Sequence, residues 1–150
     1  MNPTFLKDNV VAYVGALITA ANNTDGNSTR IDMAGYEGVV FFTTITDCAA
    51  TGVATLKVEQ NTADQDSGMA AIAGATAAAT SAQNDDLNGK VLAVDVYRPR
   101  ERYVQAVRTS ATANIAFGEV YAILYGAKSL PVSAHSTVSA SASVSSAAEA

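Results

Sequence analysis

The sequence has 150 residues, of which 49% are apolar, and its formal net charge is −5. A chain of this length forms one domain and buries a single core without disulfides or metal ions. The acidic balance argues against a reader of DNA or RNA, because such proteins draw most of their affinity from a basic face. The charged fraction of 15% is below the usual quarter, which fits either a surface partly covered by other subunits or one built of small side chains.

The chain carries no recognisable targeting or membrane signal. Its longest apolar stretch, residues 10–21, is shorter than the about 20 residues that span a bilayer. The first nine residues contain an acid and no basic region before an apolar segment, so we expect no signal peptide and synthesis in the cytoplasm. The single cysteine, Cys48, excludes an intramolecular disulfide, and its place after an apolar run favours a small buried side chain over a reactive thiol.

Strand patterns follow one another along the chain, separated by polar turns. They cover residues 10–19, 29–33, 39–47, 53–60, 90–109 and 116–126. The strongest is residues 39–47, where both faces are apolar at first, so we expect a central strand covered on each side. Residues 53–60 alternate clearly, with Ala54, Leu56 and Val58 facing inward.

Two stretches leave more than one structure open. Residues 69–81 form either an alanine-rich helix or a weak strand, because Gly74 disfavours both. Residues 90–109, with the sequence KVLAVDVYRPRERYVQAVRT, contain two strand arms around Pro99. Proline has no amide hydrogen and restricts the residue before it, so this stretch is either a β-hairpin or a corner with a cationic tip.

Seven or eight short strands without an amphipathic helix predict an all-β fold, a β-sandwich or jelly roll with extended N- and C-terminal arms. We divide the chain into an N-terminal arm of residues 1–9, a β-sandwich domain of residues 10–127 and a Ser/Ala-rich tail of residues 128–150. The tail has no period that would bury a face. Alone in water it should be disordered, and a strand added to a neighbouring subunit's sheet is one way to order it.

No group of residues indicates an active site. The single histidine, His135, lies in the tail, without the rigid surroundings that catalysis or metal binding needs. Residues 64–68 resemble the start of a calcium loop but lack its glycine and its later acid. Residues 84–86 could bring carboxylates to the same place, although both stretches also fit solvated turns. We expect no enzyme activity, cofactor or metal.

Four of the nine basic residues lie within eleven positions: Arg98, Arg100, Arg102 and Arg108. The candidate protein-binding site consists of Tyr97, Arg98, Arg100, Arg102 and Tyr103. In one interpretation the arginines are structural and pair with Asp95 and Glu101 or stack on the tyrosines. In the other they dock on an acidic protein surface, because arginine and tyrosine are typical interface anchors. Contact with nucleic-acid phosphates is opposed by the net charge.

Four segments resemble a family of small proteins from the head genes of tailed bacteriophages, the capsid decoration or cement proteins. They are GYEGVVFF (residues 35–42), VATLKVEQ (53–60), VLAVDVYRPRERYVQAVRT (91–109) and GEVYAILYGA (118–127). The resemblance covers roughly residues 30–127 and rests on the strand pattern and the YRPRxRYV segment. Residues 69–82 and the tail have no counterpart in it.

The resemblance implies a structural virion protein that binds the outside of the capsid and cements neighbouring major capsid subunits. Its expected partners are the major capsid protein and a second copy of itself, with no nucleic acid and no membrane. It would be made in the bacterial host cytoplasm and reside on the capsid surface. Two alternatives remain: a head completion or tail ring protein, and a receptor- or carbohydrate-binding β-sandwich module.

Overall fold

The computed structural model describes residues 4–144; residues 1–3 and 145–150, at the ends of the two predicted arms, lie outside the described residues. Within the described part, the elements in chain order are α1 (Phe5–Asp8), β1 (Val10–Gly15), β2 (Ile18–Ala21), β3 (Asp25–Asn27), β4 (Ile31–Asp32), β5 (Gly38–Cys48), β6 (Val53–Asn61), β7 (Ala70–Thr80), β8 (Val91–Tyr97), β9 (Tyr103–Ala111) and β10 (Ile115–Tyr125). Helix α1 is a single turn, and no helix among residues 4–144 is long and apolar enough to cross a bilayer.

The strands form two antiparallel sheets that enclose one core. Sheet A has the order β1-β10-β5-β8, and β2 also pairs with β10. Sheet B has the order β3-β9-β6-β7, and β4 also pairs with β9. Because β3 and β4 lie one after the other along β9, they fill a single place in sheet B. Likewise, β1 and β2 lie one after the other along β10 and fill a single place in sheet A. Counted this way, the two sheets have four strands each and the connectivity of a jelly roll, so the predicted fold class is confirmed.

The core lies between the sheets and takes alternate residues from each strand. In β6 the side chains of Ala54, Leu56 and Val58 are fully buried, as their alternation predicted. Strand β5 is an interior strand, also as predicted, and its inward residue Phe41 is fully buried. The expectation that both faces of β5 are covered is wrong. Phe42 on the outer face is half-buried, because no layer of the described chain packs over that side of sheet A.

The ambiguous alanine-rich stretch forms β7, an edge strand of sheet B. Its ladder with β6 is interrupted, since Lys57 pairs with Thr76 while Glu59 pairs with Ala71, so that an extra stretch of β7 bulges opposite Val58. Gly74 lies in this bulge with a φ of 81°, a conformation that glycine adopts without strain. The strand forms because β6 satisfies its main chain on one side, which overrides the helical preference of alanine.

Residues 90–109 form a corner and not a hairpin. Strand β8 pairs with β5 in sheet A, whereas β9 pairs with β6 in sheet B, so the chain crosses between the sheets from Tyr97 to Tyr103. Arg98 has a φ of 53° and Pro99 has no amide hydrogen, and both features end the β8 ladder here. The corner therefore brings side chains from both sheets to one end of the sandwich.

The described parts of both arms pack on the chain's own domain. Residues 5–8 form the helical turn α1, where we expected an extended arm. The amide of Val132 donates to the carbonyl of Lys7 at 2.9 Å, and Thr137 Oγ1 accepts the amide hydrogen of Tyr13 at 3.0 Å. We expected the tail to be disordered alone, whereas these described residues are held by hydrogen bonds within the same chain. The division into arm, domain and tail stays a prediction.

Candidate functional site

The corner between β8 and β9, residues 97–103, carries all five candidate site residues, and it is anchored through its main chain. The Arg98 amide donates to the carbonyl of Glu37 at 2.7 Å. Gln60 Oε1 accepts the amide hydrogens of Arg100 and Glu101 at 3.1 and 3.4 Å. These bonds connect the corner to sheet A on one side and to β6 of sheet B on the other, so its backbone is held in place.

Arg98 is paired with an acid and lies against an aromatic ring. Its Nη2 lies 3.2 Å from Glu37 Oε1, and its guanidinium carbon lies 5.0 Å from the centre of the Tyr97 ring. The hydrogen bond to Glu37 raises the pKa of Arg98 above its ordinary value. Arg98 is therefore a charge-balanced part of the corner surface.

Arg102 makes the most complete ion pair of the corner. Its Nε and Nη2 each donate a 2.8 Å hydrogen bond to one carboxylate oxygen of Asp32 in β4. Its guanidinium carbon lies 5.3 Å from the centre of the Tyr103 ring. The hydrogen bonds between the two side chains raise the pKa of Arg102 and lower that of Asp32. The fork geometry fixes Arg102 more firmly than a single contact would.

The structural interpretation of the arginines correctly predicted that they stack on tyrosines, but it named the wrong acids as their ion-pair partners. Each of the two paired arginines lies over the tyrosine next to it, as predicted. The partners are Glu37 and Asp32, not Asp95 and Glu101. Asp95 instead lies on the outer face of sheet A, where it accepts a hydrogen bond from Tyr125. The true partners are about 60 to 70 positions away in sequence, so only the strand order brings them to the corner.

Arg100 differs from its two neighbours because no carboxylate of residues 4–144 lies within ion-pair distance of it. It borders an open groove of about 490 Å³ together with Tyr36, Glu37 and Lys128. Lys128 also has no ion-pair partner among the described residues, and its amide is held by the carbonyl of Gly35 at 2.9 Å. Glu101 borders the same groove and likewise has no ion-pair partner among residues 4–144. Two unpaired cations, Arg100 and Lys128, therefore face one unpaired acid, and the groove keeps a net positive charge.

Arg108, the fourth arginine of the cluster, does not belong to this surface. It points between the sheets, is 2% exposed, and donates from Nη1 to the carbonyl of Gly118 at 2.6 Å. Its Nε has no hydrogen-bond partner among residues 4–144. Burial lowers the pKa of Arg108 below its ordinary value. Sequence spacing alone could not separate it from the other three, because strand alternation is broken at the corner.

The two acidic stretches weighed as a shared calcium site are far apart. Residues 64–68 precede β7 and residues 84–86 follow it, so the full strand separates them. Asp64 and Asp66 are both paired with Arg30, with Asp64 Oδ1 2.6 Å from its Nε. Asp86 accepts hydrogen bonds from Ser81, Ala82 and Gln83 in its own loop. Within residues 4–144 no group of three or more His, Cys, Asp or Glu could hold a metal ion.

Sequence reasoning missed an aromatic cluster on the outer face of sheet A. The rings of Tyr13 and Tyr121 meet edge to face with centres 5.9 Å apart, and those of Phe42 and Tyr121 stack at 5.6 Å. The three residues lie in one row across β1, β10 and β5. Strand alternation could have shown that each of these aromatic residues faces outward. It could not have shown that they lie side by side, because that depends on the order of the strands in the sheet.

Comparisons with known proteins find a structural likeness and no family. No protein-family model matches the chain, and no curated protein does. Among solved structures it is similar to the PBSX exported protein XepA, with 17% sequence identity and a TM-score of 0.47. That match covers 88% of this chain, which spans only 43% of the other protein.

Proposed function

We propose that the protein is a structural component of a tailed-phage virion that binds the outside of the capsid and cements neighbouring major capsid subunits. The proposal rests on the resemblance of residues 30–127 to decoration proteins and on one feature of the corner. Arg98 and Arg102 are balanced by their own acids. Beside the open groove, Arg100, Lys128 and Glu101 have no ion-pair partner among residues 4–144, which leaves a net positive charge there. An anchored surface of arginine and tyrosine suits docking on an acidic protein surface.

The proposed partners are the major capsid protein and a second copy of this chain. A clamp of this kind needs many modest contacts repeated by symmetry, and it needs no catalytic step, cofactor or metal. Nucleic acid and membrane have no part in the proposal, since the net charge is −5. The protein is then made in the bacterial host cytoplasm and resides on the capsid surface.

The copy number per particle is the first test. Purified particles of a phage that encodes the chain are analysed by quantitative mass spectrometry, with the major capsid protein as the internal reference. We expect a number of copies proportional to that of the major capsid protein. A copy number that corresponds to a single ring would overturn the cement role and favour a head completion or tail protein.

A charge substitution tests the corner. We expect Arg100→Ser to weaken rebinding of the purified protein to particles that lack it, because Arg100 is the corner arginine available to a partner's acid. Lys90→Ser is the matched control, since Lys90 is exposed, has no ion-pair partner among the described residues and lies at the opposite end of β8. Equal occupancy of both variants on particles would exclude the corner as the docking surface.

A further inference from the structure

Three of the four sheet edges in the described part of the sandwich carry features that hinder pairing with another chain. The edge of β1 is covered by the tail, where Thr137 Oγ1 accepts the amide hydrogen of Tyr13. The edge of β7 is interrupted by the bulge around Gly74. The other edge of sheet B is formed by β3 and β4, which have only three and two residues. Covering segments, bulges and short strands all protect sheet edges from pairing.

The remaining edge, β8, has no bulge, is not short and receives no hydrogen bond from a covering segment of the described chain, and only residues 71–73 of β7 lie beside its C-terminal end. Its seven residues pair with β5 without interruption, and they include no Pro, Gly or Lys. Its single charge is Asp95, whose carboxylate is bound by the Tyr125 hydroxyl. The odd-numbered residues of β8 are exposed, and Val91 and Tyr97 at its two ends keep 59% and 57% of their surface accessible. This is an unprotected edge strand with an apolar outer face.

The main-chain direction along β8 determines which residues can bind another strand. The Arg98 amide donates to Glu37, and the Lys90 carbonyl accepts from Ile45, so even-numbered residues face β5. By the alternation of an antiparallel ladder, the amide and carbonyl groups of the odd-numbered residues then face the free edge. These residues are Val91, Ala93, Asp95 and Tyr97.

We propose that β8 pairs antiparallel with β8 of a second copy of the chain, about a two-fold axis at Val94, so that two A sheets join into one. In this register Ala93 lies opposite Asp95 of the partner subunit, and Val91 lies opposite Tyr97 of the partner subunit. Each odd-numbered residue meets another odd-numbered residue, and each such pair exchanges two main-chain hydrogen bonds. All seven residues of the strand take part.

The charges of β8 favour this register over its neighbours. Asp95 meets alanine here, whereas a shift of the axis to Asp95 would place two carboxylates opposite each other, which is destabilising. The opposite shift, with the axis at Ala93, shortens the ladder. Lys90 and Arg98 lie beyond the paired residues, and the charge of Arg98 is balanced by Glu37.

The inference concerns the chain alone and does not rest on a virion role. Its test is self-association of the free, full-length protein, so a failed capsid experiment leaves it standing. Conversely, a monomeric protein would overturn this interface and the second copy as a partner, while the docking of the corner on capsids would stand. The two proposals therefore fail separately.

Sedimentation velocity of the full chain tests the interface with a pair of opposite substitutions. We expect the natural protein to form a dimer whose population rises with concentration. Ala93→Glu places a carboxylate opposite Asp95 of the partner subunit, twice by symmetry, and should weaken the dimer by on the order of tenfold. Ala93→Lys places an ammonium group there and should leave the dimer as tight as before or tighter.

A third variant, Ala78→Glu, controls for net charge. Ala78 is an exposed alanine of β7, outside the proposed interface, so this variant should dimerise like the natural protein. Far-ultraviolet circular dichroism confirms that each variant is folded. A monomeric natural protein, an Ala93→Glu variant that dimerises normally, or an Ala93→Lys variant that is weakened as much as Ala93→Glu would each overturn the proposal.

Discussion

The hydroxyl of Tyr125 donates a 2.6 Å hydrogen bond to the carboxylate of Asp95, which connects β10 with β8 across the outer face of sheet A. Between these two strands lies β5. The ring of Tyr125 passes over β5 at Gly38, where any side chain would overlap it. One side chain thus links three strands of sheet A.

Removal of the Tyr125 hydroxyl should cost stability. We expect Tyr125→Phe to lower the free energy of unfolding by about 1 kcal/mol, the net value of an ordinary hydrogen bond in a protein. Urea denaturation at neutral pH measures the change. Tyr121→Phe is the matched control, because Tyr121 lies on the same face of β10 and its hydroxyl has no hydrogen bond within residues 4–144. An equal loss in both variants would contradict the assignment.

The Tyr125 hydroxyl should also have a higher pKa than an ordinary tyrosine. Desolvation and, next, the hydrogen bond to Asp95 raise its pKa from 10.0 to about 12. A pKa raised by folding contributes stability that is fully present below the unfolded pKa and is lost as the pH rises through the folded pKa. We therefore expect stability to fall between about pH 10 and pH 12, and less so in Tyr125→Phe. The chain has six tyrosines, so the phenolate absorbance of Tyr125→Phe is subtracted from that of the natural protein to isolate Tyr125. A Tyr125 pKa near 10 would refute the contact.

The glycine beneath the ring should be sensitive to substitution. A Cβ at position 38 would overlap the Tyr125 ring, so Gly38→Ala should force the ring away and cost about 1–3 kcal/mol of unfolding free energy. The same substitution should cost clearly less in a Tyr125→Ala background, because the obstacle is then absent. The measurement is a double-mutant cycle by urea denaturation, and additive losses would show that the ring is not the cause.

The buried Arg108 should be replaceable by an apolar residue of similar length. Its guanidinium has no acid partner in the described chain, and the Gly118 carbonyl that it binds also accepts a hydrogen bond from Thr43 Oγ1 at 3.1 Å. We expect the free energy of unfolding of Arg108→Met to equal that of the natural protein or to exceed it by up to about 2 kcal/mol.

Arg108→Ala is the comparison for this prediction. It leaves a cavity at the same place and should lose about 2–5 kcal/mol. Thermal and urea unfolding measure both variants. A loss in Arg108→Met as large as in Arg108→Ala would mean that the buried charge itself stabilises the fold.

The fold class could be predicted from local pattern alone. The alternation of Ala54, Leu56 and Val58 gave the buried face of β6, and the run of β-branched and aromatic residues gave β5. Local pattern could not give the partner of a strand. The extent of burial on β5 was overestimated for that reason, since Phe42 is apolar but faces outward at a sheet face that nothing in the described chain covers.

The site was predictable in composition and not in its pairing. The stacking of Arg98 and Arg102 on adjacent tyrosines follows from neighbours in sequence. The acids that balance them, Glu37 and Asp32, come from other elements and reach the corner only through the jelly-roll connectivity. For the same reason Arg108 could not be recognised as buried, because the break at Pro99 hides which face the β9 residues take.

The position of β10 has a consequence for how the chain folds during synthesis. The last strand of the described residues, β10, lies between β1 and β5, so sheet A cannot close until Tyr125 has left the ribosome. Until then β1 and β5 each expose an unsatisfied edge, and such non-local pairing is slow and prone to aggregation. A chain that ends before residue 115 lacks the strand that joins them. Premature termination therefore yields an aggregation-prone fragment and not a smaller folded domain.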